Sequence, residues 1–339
     1  MPLLGLANEI LLIVAENLVS ERDISTFART NCHLYKLITP YLYHHNADWF
    51  HSSALLWAAE HGRVATARKS LKAGGDVQAM DKYIQTPALL AARYGNEEVL
   101  KLLLEKGGDP NRKDSDGRAP LSWAAGNGCK ETVELLLRTD GVDRKSKDNR
   151  GRTPVMWAAR EERGEIVELL LKTGDAGSDS KDDSGWTPLG WTSVWGHEKI
   201  VDLLLQGNAD TRSNSDVQAA LFWAAWGGNR EVVRMLLLRD GINPNANDTK
   251  SHRTPLSDAA ARGHKEVVEL LLRKGADPNS RNNEGQTALF LAARQGQTEI
   301  VKLLLETDGV DPKSKDNYGY TALRWAVLYE HKEIVELLE

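Results

Sequence analysis

Apolar residues recur at helical spacing along most of this chain, in a pattern that predicts pairs of short helices. A first pattern begins at a Thr-Pro pair such as Thr86-Pro87 and places apolar residues at positions three, six, seven and ten, counted from the threonine. At 100° per residue these positions form one side of a helix, and positions five, eight and nine lie nearly opposite. A second pattern, Glu-Val-Val-Glu-Leu-Leu-Leu at residues 266–272, predicts a second helix.

The helix pair recurs along the chain at intervals of 32 to 35 residues. Threonine suits the cap of each first helix and proline its first turn, where a missing N–H costs nothing. A glycine such as Gly95, Gly263 or Gly296 is then expected to end that helix. Nine copies begin at Ser53, Thr86, Ala119, Thr153, Thr187, Ala219, Thr254, Thr287 and Thr321.

The motif Thr-Pro-Leu-x-x-Ala-Ala at this period resembles the ankyrin repeat. The resemblance implies an all-α fold, an ankyrin-repeat solenoid of about nine repeats over residues 53–339. Each repeat would supply two antiparallel helices and a projecting turn, and its apolar face would be buried by its neighbours. Three departures predict local irregularity: Glu162 replaces the helix-ending glycine, and Asp81-Lys82-Tyr83 and Asp216-Val217 lack the glycine of the turn.

Residues 1–45 lack the repeat and contain three helically spaced apolar runs, and residues 46–52 are assigned to a linker. The runs that begin at Leu6, Asp23 and Leu34 resemble an F-box, although Leu6-Ala7 stands where that family has Leu-Pro. The resemblance implies a small three-helix segment that docks to the adaptor subunit of a cullin-based ubiquitin ligase. By that analogy the adaptor-binding side chains are Leu6, Ile10, Leu11 and Ile13. The alternative is that these helices only cap the solenoid.

Tryptophan recurs at position five of the first helices. Stacked repeats would align such rings into an aromatic ladder on the inner, concave helices, and tryptophan is enriched in interface hot spots. We predict that a target protein binds the concave face through Tyr94, Trp123, Trp157, Trp191, Trp195, Trp223, Trp226, Arg160, Arg262 and Arg294. Trp57 and Trp325, near the ends, are interpreted as packing residues. The alternative for every position-five ring is packing between neighbouring first helices.

Composition and charge narrow the functional classes. The net charge of −5 is spread over mixed signs, with no dense basic stripe, so nucleic-acid binding is not expected. The two cysteines, Cys32 and Cys129, have no paired spacing, which argues against a disulfide framework or a zinc site. No secretory signal or membrane-length apolar run is present, so we expect a cytoplasmic or nuclear protein without metal or cofactor, monomeric outside its complex.

No sequence motif of a known catalytic machinery is present, so an enzyme is not expected. The leading hypothesis is a protein–protein interaction module that selects targets for a ubiquitin ligase. A plain ankyrin scaffold is the first alternative. A small-molecule binder or enzyme that uses the tryptophan-lined groove is the second, because a concave aromatic surface beside arginine could hold a small apolar ligand.

Overall fold

The computed structural model describes residues 53–173, 179–206, 214–248 and 250–339. This part of the chain contains eighteen helices and no strand. Contacts between residues divide the chain into two compact units that meet between Glu161 and Glu162. The predicted F-box-like segment, with Leu6, Ile10, Leu11 and Ile13, lies outside the described residues.

The first unit contains seven of these helices, in which first and second helices of the repeat alternate. They are α1 (Ser53–Glu60), α2 (Val64–Lys72), α3 (Pro87–Arg93), α4 (Glu97–Glu105), α5 (Pro120–Asn127), α6 (Lys130–Arg138) and α7 (Pro154–Arg160). The first helices pack on one another in chain order, α1 on α3, α3 on α5 and α5 on α7. The second helices form a row of their own, in which α2 packs on α4 and α4 packs on α6.

The second unit repeats this arrangement over the remaining helices. They are α8 (Gly164–Lys172), α9 (Pro188–Trp195), α10 (Glu198–Gln206), α11 (Asn214–Trp226), α12 (Arg230–Leu237), α13 (Pro255–Arg262), α14 (Lys265–Arg273), α15 (Ala288–Arg294), α16 (Thr298–Leu305), α17 (Ala322–Leu328) and α18 (Lys332–Leu338). First helices α9, α11, α13, α15 and α17 pack in succession, and second helices α8, α10, α12, α14, α16 and α18 do the same.

The predicted helix ends are confirmed at most first helices, although α11 begins at Asn214 and not after Ala219. The Thr86 hydroxyl accepts a hydrogen bond from the Leu89 N–H at 3.2 Å and so satisfies one of the free donors of α3. At the other end of a first helix, Gly228 has a φ of 75°. A Cβ there would lie 2.6 Å from Nδ1 of His264, whose Nε2 is 3.1 Å from the Trp226 carbonyl oxygen of the preceding repeat. Glycine is therefore required for steric as well as conformational reasons.

The core of each unit lies between its two rows of helices. The alanines at positions six and seven of α3, Ala91 and Ala92, are fully buried, so neighbouring first helices can approach closely. From the other row, Leu100 and Leu103 of α4 are also fully buried. Each such leucine contributes roughly 1.5–3 kcal/mol relative to an exposed side chain.

An aspartate organises the turn that precedes each of several first helices. Oδ1 of Asp114 accepts hydrogen bonds from the N–H groups of Asp116 at 3.0 Å and Arg118 at 2.9 Å. Successive turns are linked as well, since the Asn149 N–H donates to the Asp116 carbonyl at 3.0 Å. These bonds hold the residue just before each first helix in a defined place.

Two of the three predicted irregularities take the same form, whereas helix α11 runs through Asp216 and Val217. Glu162, in place of the helix-ending glycine, has a φ of 56°, and it is the first residue of the second unit. Ile84 stands where Gly117 stands one repeat later, and its φ is 63°. The left-handed region disfavours side chains with a Cβ, and β-branched isoleucine most of all.

Candidate functional site

The tryptophan at position five is tied to the turn aspartate nine residues before it. Nε1 of Trp123 donates to Oδ2 of Asp114 at 2.8 Å. The pairs Trp157–Asp148, Trp191–Asp182 and Trp325–Asp316 repeat this bond at 3.2, 3.0 and 3.2 Å. Each indole therefore donates its only N–H to the turn that precedes its helix, and only the ring surface is available to other groups.

In the first unit, arginines alternate with these rings. Arg118 lies two positions before the start of α5. Its guanidinium lies over Trp123 of α5 at 4.3 Å and over Trp157 of α7 at 3.6 Å. Arg93, at position eight of α3, lies over Trp123 at 4.2 Å. Arg152 lies over Trp157 at 4.1 Å. The result is a stack of guanidinium groups and indoles, each pair attracted by the ring quadrupole.

Arg118 is the most enclosed cation of this stack without a salt bridge. Its Nε is buried and has no hydrogen-bond partner in the described part of the chain. Burial lowers the pKa of this guanidinium, and the charge of Arg152 lowers it further, although nearby Asp116, Asp114 and Asp148 raise it. Arginine stays protonated in proteins, so a positive charge with unused donors remains at this point.

The first unit exposes other aromatic side chains on the same helices. Trp57 and Tyr94 are each 48% exposed. With Tyr83, Leu90 and Arg93 they line an open groove of about 760 Å³ beside α1 and α3. Trp57, interpreted from the sequence as a packing residue, thus presents much of its ring to solvent.

In the second unit, an aromatic ring takes the place of one of these arginines. Trp186 lies two positions before the start of α9, as Arg118 does before α5. The centre of its ring is 4.9 Å from that of Trp191 and 4.0 Å from that of Trp223. The two rings of the closer pair are nearly parallel, at 27°. Trp195 at the end of α9 is 59% exposed.

A buried ion pair follows this aromatic cluster. Asp258 occupies position five of α13, is 3% exposed, and its Oδ1 accepts a hydrogen bond from Nη1 of Arg253 at 2.9 Å. Burial raises the pKa of the Asp258 carboxyl, and Arg253 opposes this shift only in part. Next to this pair, the Arg262 guanidinium lies over the Trp226 ring at 3.8 Å.

The last repeat forms a smaller cluster. Arg294 lies over Trp325 at 5.1 Å, and Trp325 stacks on Tyr329 at 5.8 Å. Tyr329 is 47% exposed. Trp325 is half-buried and bonded to its turn aspartate, as are Trp123 and Trp191.

The ten predicted partner-binding residues all lie on or at the end of first helices, but their exposure differs. Tyr94, Trp195 and Arg262 are exposed, and Trp157 is only 5% exposed, beneath Arg118 and Arg152. The half-buried members are Trp123, Trp191, Trp223, Trp226, Arg160 and Arg294. For Trp157 the structure thus favours the packing alternative, since its covered ring offers a partner little surface.

The sequence prediction missed the residue that lies two positions before the start of five of the first helices. Arg118, Arg152, Trp186, Arg253 and Tyr320 occupy this place, and each contacts the position-five side chain of its own repeat. The sequence feature that could have revealed this residue is the aspartate that recurs nine positions before tryptophan. Such an aspartate implies a turn that places the residue over the helix.

The residues that the structure describes include neither a cluster of metal ligands nor a membrane-spanning helix. There, no group of three or more His, Cys, Asp or Glu side chains is arranged to hold a metal ion. Nor does any helix in that part have the length and apolar character needed to cross a membrane.

Rows of paired helices with an aromatic and cationic face define a helical-repeat protein of the kind that binds other proteins. Comparison with protein families identifies the repeat: the model described as ankyrin repeats (3 copies) matches residues 27–114, 89–179, 174–248, 213–282 and 256–339. The chain belongs to the ankyrin-repeat family, and its repeats indicate a protein–protein interaction module. The first match begins within the segment predicted to be F-box-like. No curated protein was found to match the chain.

Proposed function

We propose that this protein selects a target protein through the exposed side of the first helices within each unit, here called the first-helix face of that unit. The observation that carries the proposal is the exposure of Tyr94 and Trp195, at 48% and 59%, at the ends of otherwise tightly packed helices. Large aromatic side chains that stand free on a rigid support are typical anchors of protein interfaces.

The charge pattern supports the same assignment. Arg93 lies beside Tyr94 and over Trp123, so an aromatic anchor and a cation are presented together. Aromatic residues and arginine are the side chains most enriched in the centres of protein interfaces. The groove beside α1 and α3 is open, which suits a protein surface better than an enclosed small ligand.

Target capture by the full chain and by point variants tests this proposal. Trp195→Ala and Tyr94→Ala should each reduce recovery of the same co-purifying protein from a native extract by about tenfold or more, as anchors do. Leu238→Ala is the matched control, since Leu238 is 61% exposed but follows second helix α12. Equal losses in control and test variants would refute a role for the first-helix face.

We further propose that residues 1–45 connect the target to the adaptor subunit of a cullin-type ubiquitin ligase. This part of the proposal rests on the F-box-like sequence pattern around Leu6, Ile10, Leu11 and Ile13. The alternative, an N-terminal helical cap, makes a different prediction about stability. A cap supports the adjacent repeat, whereas a docking segment can be altered without loss of stability in the repeats.

Titration of the full chain with a purified adaptor subunit separates these alternatives. The double variant Ile10→Asp/Leu11→Asp should lose at least about tenfold in affinity while its thermal midpoint stays unchanged, because charged side chains oppose burial at an apolar interface. Absence of adaptor binding by the unaltered chain, with a lowered midpoint for the variant, would refute the ligase role and favour the cap.

A further inference from the structure

Two guanidinium groups on the first-helix face of the first unit have no carboxylate partner among the described residues. Arg93 has only a long contact, 3.4 Å, from Nη1 to the Gln85 side-chain oxygen. Arg118 has no acceptor at Nε, which is buried, so a partner would have to approach this guanidinium at its terminal nitrogens. By contrast, Arg152 is bonded through Nε to Oδ2 of Asp148 at 2.8 Å. Unpaired guanidinium donors held in place by rings are suited to bind an anion.

The nearby carboxylates form no ion pair with these two guanidinium groups, although the charges of Asp116, Asp114 and Asp148 act on Arg118. Asp114 and Asp148 are buried, and their oxygens accept hydrogen bonds from turn N–H groups and from tryptophan. Glu161 is an ion-pair partner of Arg160 at 3.6 Å. The remaining acidic side chain on these first helices is Glu60, at the far end of the groove in α1. Arg93 and Arg118 are therefore left without an ion pair among the described residues.

Trp123 sets the spacing of the two unpaired cations. The guanidinium carbons of Arg93 and Arg118 lie 4.2 Å and 4.3 Å from its ring centre. Because these distances add to 8.5 Å, the two carbons are no more than 8.5 Å apart. Alternate residues of an extended peptide, which share one face, are separated by roughly 6.6 Å. A separation of this size falls within the upper limit that Trp123 sets on the distance between the two guanidinium groups.

We propose that the first unit binds an acidic segment of its partner, with paired carboxylates on Arg93 and Arg118 and an apolar or aromatic side chain on Tyr94. This inference rests on the proposed function and specifies the chemistry of the target. The indoles hold the guanidinium planes, so little conformational entropy is lost when the carboxylates bind. Opposite charge would also accelerate association at low ionic strength.

Selection from a random peptide library displayed on phage, against the immobilised full chain, tests the proposal and does not require that the target be identified. Selected peptides should be enriched in Asp or Glu at alternate positions beside an aromatic residue. Their affinity should fall by about tenfold or more when Glu is replaced by Gln, and should fall as salt is raised.

Charge-removing variants locate the site. Arg93→Gln/Arg118→Gln should lose at least about tenfold in affinity for the selected peptides, as loss of paired charged contacts predicts. The control Arg68→Gln/Lys101→Gln removes two exposed positive charges from second helices and should bind normally. If the double variant folds poorly, the single variant Arg118→Lys is the second test. It keeps the charge and should retain part of the affinity for the selected peptides.

The outcomes distinguish failure of the acidic-segment proposal from failure of target binding itself. Selection of peptides without acidic bias, or acidic peptides that bind both double variants equally, would overturn the acidic-segment proposal and leave target binding intact. Failure of the unaltered chain to select any peptide, together with unchanged target capture by Tyr94→Ala and Trp195→Ala, would overturn both proposals.

Discussion

Removal of the Asp148 carboxylate should strongly destabilise the first unit. The side chain of Asp148 is fully buried and accepts four hydrogen bonds. Oδ1 receives the N–H groups of Arg150 and Arg152, each at 2.9 Å. Oδ2 receives Nε of Arg152 at 2.8 Å and Nε1 of Trp157 at 3.2 Å. One carboxylate therefore joins the turn, the stacked arginine and the first-helix tryptophan.

The magnitude follows from the donors that would lose this acceptor. Removing one partner of a buried ion pair costs about 3–5 kcal/mol, because the other charge is left uncompensated. The Arg152 side chain is 11% exposed, and water can satisfy only part of its donors, so we expect Asp148→Ala to cost about 3 kcal/mol. That corresponds to roughly a hundredfold change in the unfolding equilibrium constant. Asp148→Asn keeps one acceptor oxygen and should cost about 2 kcal/mol.

Urea denaturation followed by circular dichroism at 222 nm measures the loss, and hydrogen exchange of the Arg150 and Arg152 amides localises it. Hydrogen exchange is needed because repeats can unfold separately, which would distort a two-state fit. Asp140→Ala, an exposed change in the same repeat, is the control and should cost less than about 0.5 kcal/mol. A loss below about 1 kcal/mol for Asp148→Ala, or an equal loss in the control, would refute this reasoning.

Three further outcomes are expected. Ile84→Gly should raise the free energy of unfolding by about 0.5–1 kcal/mol, since it relieves left-handed strain at a φ of 63°; an unchanged denaturation midpoint would contradict this. Burial raises the pKa of Asp258, so the folded protein binds a proton at this carboxyl more tightly than the unfolded chain does. The contribution of Asp258 to the free energy of unfolding should therefore fall as pH rises from the ordinary aspartate range through the folded pKa. Carbon-13 NMR titration should give a pKa above 3.8. Trp157→Ala should cost about 3–5 kcal/mol and Trp195→Ala less than about 1, and similar thermal melts would refute that division.

Local chemistry makes the repeat recognisable from the amino-acid sequence. The threonine at Thr86, the proline after it and the glycine at Gly95 act within one turn of the helix that they begin or end. The same locality explains why the sequence marks the joint at Glu162 and the turn before Ile84 as irregular. Each occupies a position where the backbone, and not a distant contact, demands glycine.

The sequence by itself determined the helix pairs, their period and the row of tryptophans at position five. It did not determine which rings face solvent: Trp157 is 5% exposed, whereas Trp57 at the same position is 48% exposed. That difference depends on side chains from other repeats, such as Arg118, which covers a ring 39 positions further along the chain. Helical periodicity assigns one side of one helix, but a ring between neighbouring repeats is buried or exposed according to what stacks over it. Only the tertiary structure supplies that neighbour.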